Sequence, residues 1–202
     1  MTALLLTPGA GTSADHPSLV AIEAGLAAMT PPIPVRRIDF PYRLAGRRAP
    51  DRAPVLIDAV RVGAATFADD LRIAPGQLVL GGRSMGGRMC SMAVAGGLPA
   101  FGLVCICYPL HPPGKPDRLR IEHLPAITVP CLFVSGTRDA FGTPEELRAH
   151  TSTIPGVVTH HWIEGAGHDL KGHDKQIAAL IGAWVEPLIA PTPQERRQRP
   201  LG

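Results

Sequence analysis

The sequence predicts an α/β fold, a single doubly wound, mostly parallel sheet of about six strands with helices on both faces and no lid domain. Three observations carry that expectation. Short apolar runs alternate with longer helical patterns along the chain, as crossover connections between parallel strands require. The apolar runs are nearly continuous rather than alternating, which suits a sheet buried on both sides. No internal repeat or composition break separates a second domain, and 202 residues suffice for one substantial core.

In chain order, "ALLLT" (3–7) reads as a strand and residues 17–28 as a helix opened by Pro17. "PVRRIDF" (34–40) is the next strand, and a helix is expected across "DRAPVLIDAVRVGAATFADDL" after Pro50. "QLVLGG" (77–82) is a strand, followed by a short helix, "GGRMCSMAVAGG", that Gly96 and Gly97 end. "FGLVCIC" and "CLFVSG" are strands separated by an irregular, Pro-rich stretch over 108–130, long enough to wall a binding site. "TPEELRAHT" (helix), "VVTHHWIE" (strand) and "DKQIAALIGAWVEPLI" (helix) complete a domain expected over 1–189. Residues 190–202, with Arg196, Arg197 and Arg199, read as a flexible basic tail.

Bulk properties narrow the function. A net charge of +3 with dispersed basic residues gives no electrostatic footprint for nucleic acid. The apolar runs are too short to span a bilayer, and "MTALLLTPGAG" lacks the basic n-region of a signal peptide, so a cytoplasmic protein without membrane partners is expected. The four cysteines form no CxxC pair and have no histidine at zinc-finger spacing, so they are expected as reduced core thiols. No cofactor and no metal is expected.

Two glycine-rich stretches imitate nucleotide sites. "PGAGTSA" satisfies G-x-G-x-x-A after a strand, with Asp39 ending the next one, but the helix opens only at Pro17, too late to point at a pyrophosphate. "GGRSMGGR" lacks the Lys-Ser/Thr of a phosphate loop. What it does contain is Gly82-Arg83-Ser84-Met85-Gly86, the G-x-S-x-G pattern of a nucleophile elbow, placed between a strand and a helix as that motif requires.

A serine hydroxyl becomes nucleophilic only when a base takes its proton. Of the eight histidines, His168 in "EGAGHDL" lies in a glycine-rich turn between the last strand and the last helix. His160 and His161 fall inside a strand, and His150 and His173 look helical and exposed. An orienting acid should follow a strand between the serine and the histidine, and Asp139 in "CLFVSGTRDAFG" does. Asp169 and Asp174 are too close to His168 in sequence, while Asp117 and Glu122 lie on the long loop. The order Ser84, Asp139, His168 is the triad order Ser…Asp…His. Oxyanion donors are expected from the backbone N–H groups of Met85 and of the first loop, where Ala10 is the choice among Gly9, Ala10 and Gly11.

With these motifs in place the chain resembles the α/β-hydrolase superfamily over nearly its whole length. "FPYRLAGRRAPDRAP", "GGRSMGGR", "YPLHPPGKPDRLR" and "GTRDAFGTPEEL" are similar to its small, lidless, dienelactone-hydrolase-like branch, the KANL/Tex-type hydrolase-like proteins. The resemblance implies a family sheet of eight strands, of which this chain keeps about six. Pro8-Gly9 stands where many relatives carry His-Gly, and Ser84 stands where a dienelactone hydrolase proper has cysteine.

The function these residues imply is a serine hydrolase, carboxylesterase-like, acting on a small-molecule ester or related acyl substrate through an acyl-enzyme. Tyr42 and Arg43 of "FPYR", with His111 of the long loop, are expected to line the substrate site. Two other readings stay open: a non-catalytic interaction module on the same fold, and an acyltransferase or peptidase using the same triad. Oligomeric state is not legible.

Overall fold

A computed structural model describes residues 1–189, and the basic tail expected at 190–202 lies outside the described residues. Six strands form the sheet: β1 (Ala3–Thr7), β2 (Val35–Arg37), β3 (Leu78–Arg83), β4 (Gly102–Ile106), β5 (Cys131–Gly136) and β6 (Val158–Ile163). Their order is β2-β1-β3-β4-β5-β6, and every neighbouring pair is parallel. The helices are α1 (Pro17–Ala27), α2 (Pro41–Leu44), α3 (Ala53–Leu71), α4 (Met85–Ala95), α5 (Pro144–Thr151) and α6 (Asp174–Ile189).

Why the strands read as unbroken apolar runs is now plain. Successive side chains leave a strand on opposite faces. Leu5, Leu80, Cys105 and Phe133 point into one core, against Val60 and Phe67 of α3 and Met89 of α4. Their neighbours Leu4, Leu6, Val79, Val104 and Leu132 point into a second core, against Leu19 and Ile22 of α1 and Ile177 and Ile181 of α6. Both faces are dry, so both positions of the two-residue repeat must be apolar.

Differences from the expected elements fall at the margins of the sheet. The strand expected over 34–40 shortens to Val35–Arg37, because its partner β1 ends at Thr7 and turns away into a loop. Arg36 and Arg37 mark β2 as an edge, and their guanidiniums pair outward with Asp70, Asp15 and Glu23. The four-residue α2, opened by Pro41, is too short for hydrophobic periodicity to announce. All four cysteines are free and buried, as expected of core thiols. Burial pushes the thiols of Cys90, Cys107 and Cys131 up to about 12, and that of Cys105 well above its ordinary value. No helix among the described residues is long and apolar enough to cross a membrane.

The topology also decides where a ligand can sit. The chain steps from β1 out to β2 and then returns to add β3 on the other side of β1. Loops leaving the carboxyl ends of β1 and β3 therefore run in opposite directions, and a crevice opens between them.

Candidate active site

Ser84 stands in that crevice, after the last residue of β3 and before the first of α4. Its backbone lies at φ 49° and ψ −115°, a region that L-residues rarely occupy. The turn is possible only because its neighbours lack side chains. A Cβ on Gly86 would lie 2.5 Å from the Thr7 carbonyl oxygen, and one on Gly82 would collide with the Thr7 side chain. The Ser84 N–H donates to the Ile106 carbonyl at 2.7 Å, which anchors the turn to β4.

The loop after β6 brings His168 over this serine. Its close approach to β5 requires Gly136, where a Cβ would strike the Ala166 carbonyl. Arg83 fixes the loop from below, its Nη2 donating to the His168 carbonyl at 2.7 Å. His168 Nε2 lies 2.9 Å from Ser84 Oγ. Its Nδ1 lies 2.9 and 2.8 Å from the two carboxylate oxygens of Asp139, a residue only 3% exposed. A carboxylate only accepts, so Nδ1 carries the proton, and Nε2 of the neutral ring is left to accept from the serine hydroxyl. The Phe141 N–H donates to Asp139 Oδ1 at 2.8 Å, and the Phe141 ring stacks on the imidazole with centroids 4.0 Å apart. This relay opens on a cleft of about 610 Å³.

Met85 and Ala10 both line that cleft. Among the described residues, neither backbone N–H has a hydrogen-bond partner, whereas Gly11 N–H donates to the Tyr42 hydroxyl at 3.3 Å and Thr12 N–H to the Gly9 carbonyl at 3.2 Å.

The three residues expected to line the substrate site stand elsewhere. Tyr42 is fully buried, its ring stacked on Phe40, and touches the first loop from behind through its hydroxyl. Arg43, beside it on α2, has its Nε buried without a partner and is not among the cleft-lining residues. His111 is buried; its Nε2 lies 3.4 Å from Glu146 of α5 and its Nδ1 2.9 Å from the Pro112 carbonyl, so it ties the long loop to α5. The cleft wall is built instead by His16, Arg83, Arg88 and Phe141, which the sequence left unassigned, and by Pro109 and Arg120 of the long loop that was expected to wall a site. For Arg83 and Arg88 a signal existed, since they flank the serine at positions −1 and +4 in "GGRSMGGR". For Phe141 and His16 there was none.

A second serine–histidine pair provides a useful contrast. Ser91 Oγ lies 2.7 Å from His123 Nε2, yet the hydroxyl also donates to the Arg88 carbonyl at 2.8 Å. A hydroxyl has one proton to give, so here it accepts from Nε2–H, the reverse of the polarity at Ser84. Ser91 is fully buried, and burial followed by the nearby Arg88 charge lowers the His123 imidazole to about 4. This pair ties the long loop to α4.

Cys107, Asp139 and His168 place their donor atoms within 4.8 Å of one another. The buried thiol is held up at about 12, so it supplies no thiolate at neutral pH, and the carboxylate and imidazole already satisfy each other. The donor set suits proton transfer better than metal ligation.

A family model described as an alpha/beta hydrolase domain matches residues 1–182. Among solved structures, Est1E from Butyrivibrio proteoclasticus is similar at 14% identity with a TM-score of 0.73, the match covering 94% of this chain and 89% of that one. An alpha-beta serine hydrolase homologue from Coxiella burnetii is similar at 14% identity and TM-score 0.71, over 92% of this chain and 86% of that one. The RedJ thioesterase of the prodiginine pathway in Streptomyces coelicolor is similar at 16% identity and TM-score 0.64, over 90% and 89%. At such identities the structures speak for a shared fold, while the family model spans most of the chain. On that match, and on the parallel sheet with its serine at the switch point, this chain belongs to the α/β-hydrolase domain family.

Proposed function

We propose that this chain is a serine hydrolase that cleaves small esters through an acyl-enzyme, with Ser84 as nucleophile, His168 as general base and acid, and Asp139 as the orienting carboxylate. One observation carries the reading: a hydroxyl 2.9 Å from an imidazole nitrogen whose other nitrogen is held 2.8 Å from a buried carboxylate, at the mouth of a cleft. His168 Nε2 takes the Ser84 proton as Oγ attacks the acyl carbon. Negative charge then develops on the carbonyl oxygen, toward the unpartnered N–H groups of Met85 and Ala10, each worth roughly 3–4 kcal/mol in such a role. Collapse expels the alcohol, which leaves with the proton from Nε2. Water repeats the sequence in reverse order of partners and frees the acid, while Asp139 stays ionised throughout.

A cleft of about 610 Å³ in a domain without a lid suits small acyl substrates. The likeness in fold to an esterase domain from Rhodothermus marinus and to the RedJ thioesterase agrees with acyl-bond hydrolysis. Within the family we place the chain in the dienelactone-hydrolase-like, KANL/Tex-type branch, as a single catalytic domain over 1–189.

Turnover of a short p-nitrophenyl ester tests this. Ser84→Ala and His168→Ala are expected to lose roughly 10⁴-fold or more in kcat, and Asp139→Asn about 10⁴-fold. Equal turnover by the wild type and Ser84→Ala would remove the mechanism. A folded wild type with no turnover would favour an interaction module on this fold.

A further inference from the structure

The cleft around Ser84 contains more positive charge than its own residues can neutralise. Arg83, Arg88 and Arg120 all line it, together with His16. Among the described residues, none of the three guanidiniums lies within 4.0 Å of a carboxylate, although Arg36, Arg37, Arg47 and Arg148 elsewhere each have one. Asp169 also borders the cleft, but it is exposed, and its Oδ1 accepts from the Lys171 N–H. Among the described residues, two buried guanidinium nitrogens have no partner, Arg83 Nη1 and Arg88 Nε, and Arg83 is only 5% exposed.

Buried cations are ordinarily paired, because desolvation without compensation is costly. Arg88 and Arg120 aggravate the cost by lining the same cleft. Burial, then the Arg88 charge, lowers Arg120 from its usual range. Arg120 reaches a single carbonyl, that of Pro109, at 3.2 Å, and is held in place by its own N–H to Leu110. Arg88 lies one helical turn beyond Ser84, its N–H donating to the Ser84 carbonyl at 3.1 Å. The unpaired charge therefore stands beside the nucleophile.

We propose that the cleft selects acyl substrates carrying a second, anionic oxyacid group, a carboxylate or a phosphate, which Arg88 and Arg120 bind while Ser84 attacks the ester. This rests on the serine-hydrolase reading above and names its substrate class. Planar guanidiniums suit such groups because they offer paired N–H donors to two oxygens at once. Arg83 holds the His168 loop and adds to the field without leaving its post.

The test compares p-nitrophenyl esters of one chain length whose far end is methyl, carboxylate or phosphate, and reads kcat/KM. The wild type is expected to prefer at least one charged ester over the methyl one by roughly 10- to 100-fold, the discrimination of a charge-assisted hydrogen bond. Preference for carboxylate alone, phosphate alone, or both supports the proposal and identifies the source of the anion. Arg88→Gln and Arg120→Gln should each reduce the charged-to-neutral ratio by about tenfold or more, with Arg88→Lys restoring part of it. A wild-type ratio near one, or a ratio unmoved in both glutamine variants, would overturn the proposal. Isothermal titration of folded Ser84→Ala with the same esters ranks them without chemistry. If neutral-ester turnover exists but the ratio is near one, only this inference falls. If turnover is absent throughout, the hydrolase reading falls, and selective binding of a charged ester would still establish the anion site while equal binding would remove it.

Discussion

At Ser84 the backbone adopts a conformation that glycine would occupy more comfortably, and the residue is nevertheless a serine. Such a conformation costs on the order of 1–3 kcal/mol and persists where surrounding structure imposes it, here the packing of Gly82 and Gly86 against Thr7. A stability test follows. Ser84→Gly relieves the strain but adds chain entropy to the unfolded state, so it should be more stable than Ser84→Ala by about 1 kcal/mol, a Tm roughly 2–4 °C higher. Equal melting of the two would mean that the strain is no larger than the entropy that glycine adds to the unfolded chain. The meeting of Ser84, Asp139 and His168 in space was legible in the sequence, because strand ends, glycine-rich turns and reactive side chains coincide there. Tyr42, Arg43 and His111 show the limit. Nearness to a loop in sequence says nothing of which way a ring points, and Tyr42 and His111 turn inward to hold the loops that border the cleft. Phe141 was invisible for the opposite reason, because its stacking on His168 depends on two loops meeting in space.

Between the strands, the long 108–130 loop is the element whose behaviour matters most, since Pro109 and Arg120 form one wall of the cleft. It is held by side chains as well as by backbone bonds such as that of the His111 N–H to the Phe141 carbonyl. His123 donates to Ser91 of α4, the Tyr108 hydroxyl donates to the Arg120 carbonyl at 2.6 Å, and His111 reaches Glu146 of α5. The His123 attachment is pH-sensitive. The folded protein holds this imidazole at about 4 against an ordinary value near 6.5, so the neutral ring is the one the fold accepts. A depressed value means that this contribution is complete above pH 6.5 and is lost as pH falls from 6.5 towards 4, where the unfolded chain binds a proton that the folded one refuses. Each pH unit in that window costs at most about 1.4 kcal/mol, less here because the ring is partly in contact with solvent. His123→Gln, which keeps a donor for Ser91, should therefore lose less Tm between pH 7 and pH 5 than the wild type does. Parallel losses in the two proteins would assign the sensitivity to other groups. Element type was readable because strands and helices differ in apolar period. Boundaries were not, because β2 ends where its partner turns away and α2 is a single turn set by Pro41.

Across the molecule, one sheet with two dry faces does two jobs: it supplies a core on each side, and through its strand order it opens a crevice between β1 and β3. The sheet was legible because burial on both faces leaves a mark in composition, short continuous apolar strands alternating with longer helical patterns. The charged wall of the cleft was not, since arginines scattered over residues 83–120 converge only once the long loop folds back over α4. In the proposed mechanism a hydroxyl, an imidazole and a carboxylate, distant in the chain, act together at this crevice. Labelling with a fluorophosphonate, followed by mass spectrometry of the modified peptide, measures that most directly. A single adduct on Ser84 is expected in the wild type, none in Ser84→Ala, and a rate at least about 100-fold slower in His168→Ala. An adduct on another residue, or labelling of His168→Ala at the wild-type rate, would contradict it.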